Sequence, residues 1–320
     1  LKIVGFAEPI PFRSKRFADR YKIPADRQFK TWEDIFKAKK FADAVIITTP
    51  DALHYGPAMA ALEMGYDILL EKPIAQSWQQ CSDIMNLAIK KDRIVAICHV
   101  LRYAPFFRKM KEIVDSGVLG KMMSIQLLEP VEHIHMSHSF VRGNWRNTKE
   151  SNPMLLAKSC HDIDWLRYIV GRRCVQVSSF GSLMHFRKQK KPPEAGAALR
   201  CLACAFEPRC AYSARHIYFS LMADQITGPI VLDILTPDHT PAGLLAGLLK
   251  ALADGPYGRC VYECDNDVVD HQVVNLLYDN GATASFTMTA FTEWGIHRQT
   301  RLFGTLGEVR GDGRTITHYD

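Results

Sequence analysis

Between Leu1 and Gly56 the chain holds one glycine, Gly5. That excludes a G-x-G-x-x-G turn, the kind that cradles phosphates at a helix N-terminus, from this stretch. Leu1 opens in mid-strand, so the expectation is that a strand and its turn lie upstream. No apolar run is long enough to span a bilayer and no secretory leader is visible, which argues against a membrane partner. No basic tract alternates with aromatics, and a formal charge of +6 on 320 residues is mild, so no nucleic-acid partner is expected. The densest basic run, Arg187-Lys188-Gln189-Lys190-Lys191 before Pro192-Pro193, reads as a solvated loop, with a phosphate site second. No internal repeat occurs at solenoid periods. Nine cysteines in a chain of this size suggest a reducing compartment rather than a disulfide framework, and the expected location is cytoplasmic.

At 320 residues and 47% hydrophobic, the chain can bury a large core and splits into two expected domains, 1–100 and 101–320. The first alternates strands and helices. Lys2 to Ala7 is an apolar run ending at Glu8, and Phe12 to Tyr21 reads as a helix. Thr31 with Asp34 signals a capping box. Ala44 to Thr48 is a buried strand closed by Thr49-Pro50, and a helix over Leu53 to Met64 stops at Gly65. Ile68-Leu69-Leu70 is another strand, Ser77 with Gln80 opens a helix, and Ile94 to Cys98 is a further strand. This pattern predicts a Rossmann-type parallel sheet.

Past residue 120 the texture changes. Met123, Ile125 and Leu127 alternate with polar neighbours. Val273–Tyr278 and Thr283–Thr289 flank Asp279-Asn280-Gly281, a hairpin signal because Asn-Gly suits positive φ. Gly311-Asp312-Gly313 marks another turn, and a helix is expected near Pro153 to Val170. The fold class is therefore α/β: a parallel-sheet domain, then an α+β domain with an open, mostly antiparallel sheet.

Glu71-Lys72-Pro73 follows an apolar strand directly. In an open parallel sheet, ligands bind beyond the carboxyl ends of the strands. A lysine there can reach a substrate, and partial desolvation suits it to proton transfer. Further on, Arg142-Gly143-Asn144-Trp145-Arg146 packs two guanidinium groups, an amide and an indole into five residues. That density suits a sugar or carboxylated substrate, or an interface loop. His133 and His135, with His138 nearby, would face one side of a strand, as a metal site requires; solvent-facing loop histidines are the alternative. Cys201-x2-Cys204-x5-Cys210 could clamp a structural zinc with Cys260 or Cys264, and we take Cys264 as fourth ligand. An iron–sulfur cluster and unliganded loop thiols are the other readings.

Taken together, Glu8-Pro9, Thr49-Pro50-Asp51-Ala52-Leu53-His54, Glu71-Lys72-Pro73, His99 with Arg102-Tyr103, His161-Asp162-Ile163-Asp164 before Trp165-Leu166, and Gly304-Thr305-Leu306-Gly307-Glu308 resemble the Gfo/Idh/MocA family of NAD(P)-dependent oxidoreductases. The resemblance runs over essentially the whole chain. It implies a Rossmann domain followed by an open-faced sheet domain that holds a sugar-like substrate and pairs copies into a homodimer or homotetramer. It implies hydride transfer between NAD, or NADP, and a sugar, polyol or cyclitol. An NAD-dependent glycosidase of the same fold and a non-catalytic sugar or nucleotide sensor are the alternatives.

By this resemblance Lys72 and His161 carry proton transfer. Glu8 would hold the adenosine ribose and favour NAD over NADP, although Arg13 could offset it. Thr48, Thr49, Pro50, His54, Glu71 and Lys72 would border the cofactor, with helix packing as the other reading of His54. Arg102, Tyr103, His135, Arg142, Trp145, Arg146 and Asp164 are the substrate candidates. Asp164 lies three residues after His161, on the same helical face, where it could orient the ring. One position departs from the family pattern: the aspartate four residues before the helix histidine is Ala157 here, with Lys158 beside it.

Overall fold

A computed structural model describes residues 1–224, 228–237, 240–292 and 297–320. The chain divides into two compact units, Leu1–Cys98 with Thr236–Leu244, and His99–Leu235 with Leu245–Asp320.

In the first unit, β1 (Phe6–Ala7) pairs in parallel with β2 (Gln28–Phe29). β3 (Ala44–Ile47), β4 (Asp67–Leu70) and β5 (Val95–Ile97) form a parallel sheet in chain order. Helices Pro11–Tyr21, Trp32–Lys37, Tyr55–Glu63 and Trp78–Lys91 fill the connections, as parallel pairing requires. Ser77 caps the last of them: its Oγ accepts from Gln80 N at 3.3 Å, while Gln80 Oε1 accepts from Gln76 N at 3.2 Å. The box expected at Thr31 closes differently, because Thr31 Oγ1 donates to the Asp34 carboxylate at 3.1 Å and the two side chains bond each other. Helix Tyr55–Glu63 ends at Gly65, whose φ of +76° places it in the left-handed region. Ala58, Ala61 and Leu62 of that helix are wholly buried in the cluster that holds Ile47, Ile68, Leu70 and Ile84.

The second unit is built on a seven-stranded sheet of β6 (Met122–Pro130), β7 (Cys174–Ser182), β8 (His271–Tyr278), β9 (Thr283–Thr289), β10 (Gln299–Gly304), β11 (Glu308–Gly311) and β12 (Ile316–Tyr319). Their order is β12-β11-β10-β6-β9-β8-β7, and every pairing is antiparallel except β6 with β9. Ile125, Leu127, Phe286, Met288 and Leu302 share a core with Trp165, Leu166 and Ile169 of helix Cys160–Val170. The other sheet face carries the row Phe180, Val273, Thr287 and Leu128, in which Phe180 is 73% exposed. The β8–β9 hairpin turns at Gly281, φ +85°, and the β11–β12 turn uses Gly313, φ +89°.

Two expectations change here. The single helix over Pro153–Val170 is two, Met154–Ala157 and Cys160–Val170, interrupted at Lys158-Ser159. The histidine segment is helical rather than extended: His133–His135 forms one turn and Met136–Arg142 a π-helix. Glu132 drives this by accepting from both Ile134 N and His135 N. His133 and His135 therefore do not present a strand face to a metal.

Candidate active site

In the first unit, register sets the row of candidate residues. Ile47, Leu70 and Ile97 stand side by side as the last residues of β3, β4 and β5. One step beyond, Thr48, Glu71 and Cys98 line the carboxyl edge of the sheet, where open parallel sheets bind ligands. Glu71 N still bonds Ile47 O at 3.0 Å and Cys98 N bonds Leu70 O at 2.8 Å, so this edge is an extension of the ladder. Burial raises the Cys98 thiol pKa, with the Glu71 carboxylate adding to it. Lys72 comes next, its N–H on Glu71 Oε2 at 3.3 Å, and the peptide bond to Pro73 is cis. Thr49 Oγ1 closes the neighbouring turn on Leu53 O at 3.0 Å. Glu8 follows β1 and accepts from Ile10 N through Oε1 at 2.9 Å.

His54 is not placed as a cofactor ligand. It is 1% exposed, and both ring nitrogens face main-chain carbonyls, of Pro73 and of Thr49. Those carbonyls belong to the loops that follow β3 and β4.

The second unit supplies another cluster. Arg102 grips Asp164 with two bonds, 2.7 Å from Nε and 2.5 Å from Nη2, and its guanidinium lies 4.7 Å from the Tyr168 ring centre. The Asp164 hydrogen bond raises the arginine pKa further. His99 Nε2 stands 3.9 Å from Asp164 Oδ1, and its ring meets His161 edge-on, with centroids 6.1 Å apart. Asp164 thus addresses Arg102 and His99, and through His99 it neighbours His161. Tyr103 is 73% exposed.

Beneath this cluster lies an ionic network that sequence reasoning missed. Arg298 Nε reaches Asp162 Oδ1 at 2.5 Å and Glu129 Oε2 at 2.9 Å, and Lys158 Nζ reaches Glu129 Oε1 at 2.8 Å. Both carboxylates are wholly buried. Burial pushes the Asp162 pKa up to about 6; Arg298 opposes this and Glu129 adds to it. The visible signal was Lys158, a cation in the helical stretch beside the altered position; Glu129 and Arg298 come from strand ends whose facing only register reveals.

Other candidates take structural posts. Arg142 is 1% exposed, and its guanidinium donates to Arg259 O at 2.8 Å and Tyr212 O at 2.7 Å, so it holds loops together rather than meeting substrate. Arg146 is engaged by Asp265 and Glu150, and the arginine bonds hold the Asp265 carboxyl well below its usual range. Trp145 packs against the second-unit core, 6.1 Å from Phe140, and His135 lies 5.6 Å from the same ring. Within the supposed solvated loop, Lys191 is 9% exposed and pairs with Glu263 at 2.9 Å.

The zinc expectation is overturned. Among the described residues no group of three or more His, Cys, Asp or Glu side chains could hold a metal ion. Cys201 accepts from Ala214 N, and Cys264 donates to Cys260 O. Burial raises the Cys210 thiol pKa and pushes that of Cys264 up to about 11. Cys204 joins Cys201, Cys210 and Cys260 around a cavity of about 20 Å³.

Comparison with known proteins decides the family. A model described as "Oxidoreductase family, NAD-binding Rossmann fold" matches residues 1–99, and one described as "Oxidoreductase family, C-terminal alpha/beta domain" matches residues 111–318. The chain belongs to the Gfo/Idh/MocA oxidoreductase family. "Putative oxidoreductase YteT" of Bacillus subtilis strain 168 is 24% identical over 97% of this chain and 70% of its own length. A 2,7-anhydro-N-acetylneuraminate hydratase of Mediterraneibacter gnavus is 26% identical over 49% of this chain, which spans 41% of that relative. Among solved structures, myo-inositol 2-dehydrogenase from Lactobacillus plantarum superposes with a TM-score of 0.65 at 16% identity, covering 98% of this chain and 69% of that one. The WlbA dehydrogenase from Bordetella pertussis, in complex with NADH and UDP-GlcNAcA, gives 0.64 at 14% identity over 100% and 74%. This member therefore has the NAD-binding parallel-sheet fold followed by a mostly antiparallel domain. Among the described residues no helix is long and apolar enough to cross a membrane.

Proposed function

We propose that the protein is an NAD-dependent oxidoreductase that moves a hydride between nicotinamide and a sugar, polyol or cyclitol. The observation that carries this is Lys72, one residue past the last ladder bond of the parallel sheet and directly beyond the row of Thr48, Glu71 and Cys98. The residues present fit a dinucleotide in part: Glu8 has an oxygen to offer the ribose, while no glycine-rich turn lies between Leu1 and Gly56. When bound, the cofactor supplies the hydride acceptor.

Oxidation of an alcohol requires a base for the hydroxyl proton, and a positioned base contributes about 10²–10⁴-fold. Lys72 and His161 are assigned that work. Arg102 fixes Asp164, Asp164 faces the His99 ring, and that ring stands edge-on against His161. The ammonium of Lys72 also suits polarisation of a carbonyl in the reverse direction. The open sheet face, with Phe180 exposed, is the surface on which we place pairing of copies.

The presence of His99 as a second imidazole beside His161 favours a further reading, in which hydride transfer is transient and a C–O bond of the substrate is cleaved. NADH formation from free sugars or cyclitols, against release from aryl glycosides without net NADH, separates the two. Lys72→Ala tests both: turnover falls by about 10²–10⁴-fold while the circular dichroism spectrum is unchanged. An unchanged rate removes the lysine from the mechanism.

A further inference from the structure

His54 is a buried side chain of the first unit that the proposed proton transfer does not use. His54 sits just ahead of helix Tyr55–Glu63, in a turn that is itself closed by Leu53 N on Pro50 O at 2.7 Å and Thr49 Oγ1 on Leu53 O at 3.0 Å. Its Nδ1 lies 2.7 Å from Pro73 O and its Nε2 2.9 Å from Thr49 O. Carbonyl oxygens only accept and a neutral imidazole has a single N–H, so it donates to one of the two; the shorter approach, Nδ1 to Pro73 O, is the bond that links the turn after β3 to the loop after β4.

The two carbonyls belong to different loops. Thr49 follows β3 and Pro73 follows β4, and these strands share a ladder that carries through to Glu71 N on Ile47 O. One step past that bond, the imidazole ties the loops to each other. A leucine or phenylalanine would fill the same space and leave the buried Pro73 carbonyl without this donor. Pure packing does not call for a ring nitrogen at hydrogen-bond distance from that oxygen.

We infer that His54 is a positioning residue: from the turn after β3 its ring clasps the carbonyl of Pro73, the residue next to Lys72, and so sets where the ammonium is presented. The inference rests on the role proposed for Lys72. Its cost when broken follows from geometry, since a misplacement of about 1 Å at a reacting group lowers rate by about 10²-fold.

Two measurements on the full chain test it. In ¹⁵N-labelled protein, an imidazole N–H resonance from His54 Nδ1 is expected, and it disappears in His54→Gln. A signal from Nε2 alone, or from neither nitrogen, overturns the clasp whether or not turnover has been detected. In kinetics, His54→Phe keeps the volume and removes the donor; kcat should fall by about 10²-fold while KM for the alcohol substrate is unchanged. His54→Gln, with a single donating nitrogen, should recover part of that loss, a rescue that mere packing would not give. If His54→Phe does not fold, His54→Gln and the resonances decide. Lys72→Ala is run beside them. Full kcat in His54→Phe, with Lys72→Ala inactive, overturns the clasp and leaves the lysine's role standing. Full activity in Lys72→Ala overturns the lysine's role itself.

Discussion

Asp162 makes the stability of the second unit depend on pH, and the effect can be worked through. The carboxyl is wholly buried and its pKa is raised from 3.8 to about 6, first by desolvation, with Glu129 adding to the rise and Arg298 opposing it. Unfolding returns it to its ordinary value, so between these limits the folded chain binds the proton more tightly than the unfolded chain. The stabilisation is then complete below about pH 4 and is lost as pH rises through 6. A pKa difference of one between folded and unfolded chains is worth about 1.36 kcal/mol, so the loss here is about 3 kcal/mol. Asp162→Asn removes the titration while its amide oxygen can still accept from Arg298 Nε. Urea unfolding, followed by the fluorescence of Trp165 in the same helix, would be run on both proteins from pH 4 to pH 7.5. The stability of the unsubstituted chain relative to the variant should decline by about 3 kcal/mol across that range. Parallel curves would refute the assignment and mean that Arg298 holds the carboxylate charged throughout.

Other expectations follow from the same network of contacts. Asp164→Asn loses the charge that grips Arg102 and faces His99, so turnover should fall by at least about tenfold and the pH–rate profile should move, with little change in unfolding temperature. Arg142→Met strands the carbonyls of Arg259 and Tyr212 and should cost about 3 kcal/mol in urea unfolding, with KM for substrate unchanged in the folded fraction; a raised KM at full stability would restore it as a substrate contact. Ser77→Ala removes the cap of helix Trp78–Lys91 and should lower stability by about 1 kcal/mol, measured as an earlier unfolding transition of the first unit.

Legibility in the sequence tracked how local the determining physics was. The three-stranded sheet was readable because Ala44–Ile47, Asp67–Leu70 and Val95–Ile97 are short apolar runs with turn chemistry at both ends. The hairpin at Gly281 was equally plain, since the glycine supplies the positive φ that its turn takes. Lys72 could be placed at a strand end for the same reason. Arg142 was misread because an arginine dense with donors looks alike in sequence whether it meets a ligand or two main-chain carbonyls from residues 70 and 117 positions away. The π-helical turn over Met136–Arg142 arose from Glu132 capping two N–H groups, a bonding choice that strand periodicity does not encode. The cysteine spacing suggested tetrahedral ligation, but main-chain bonds took up the thiols instead.

The place of β6 between β9 and β10 has a consequence for synthesis. Ser124 finds its partner in Thr283, 159 positions later, and Leu128 pairs with Gln299 further still. As the chain leaves the ribosome, Ile125 and Leu127 must wait with both hydrogen-bonding edges open until nearly all of the second unit has been translated. Such a strand invites pairing with a neighbouring nascent chain. Ribosome-stalled chains released before residue 283 should therefore collect on holdase chaperones, and those released after residue 304 should not.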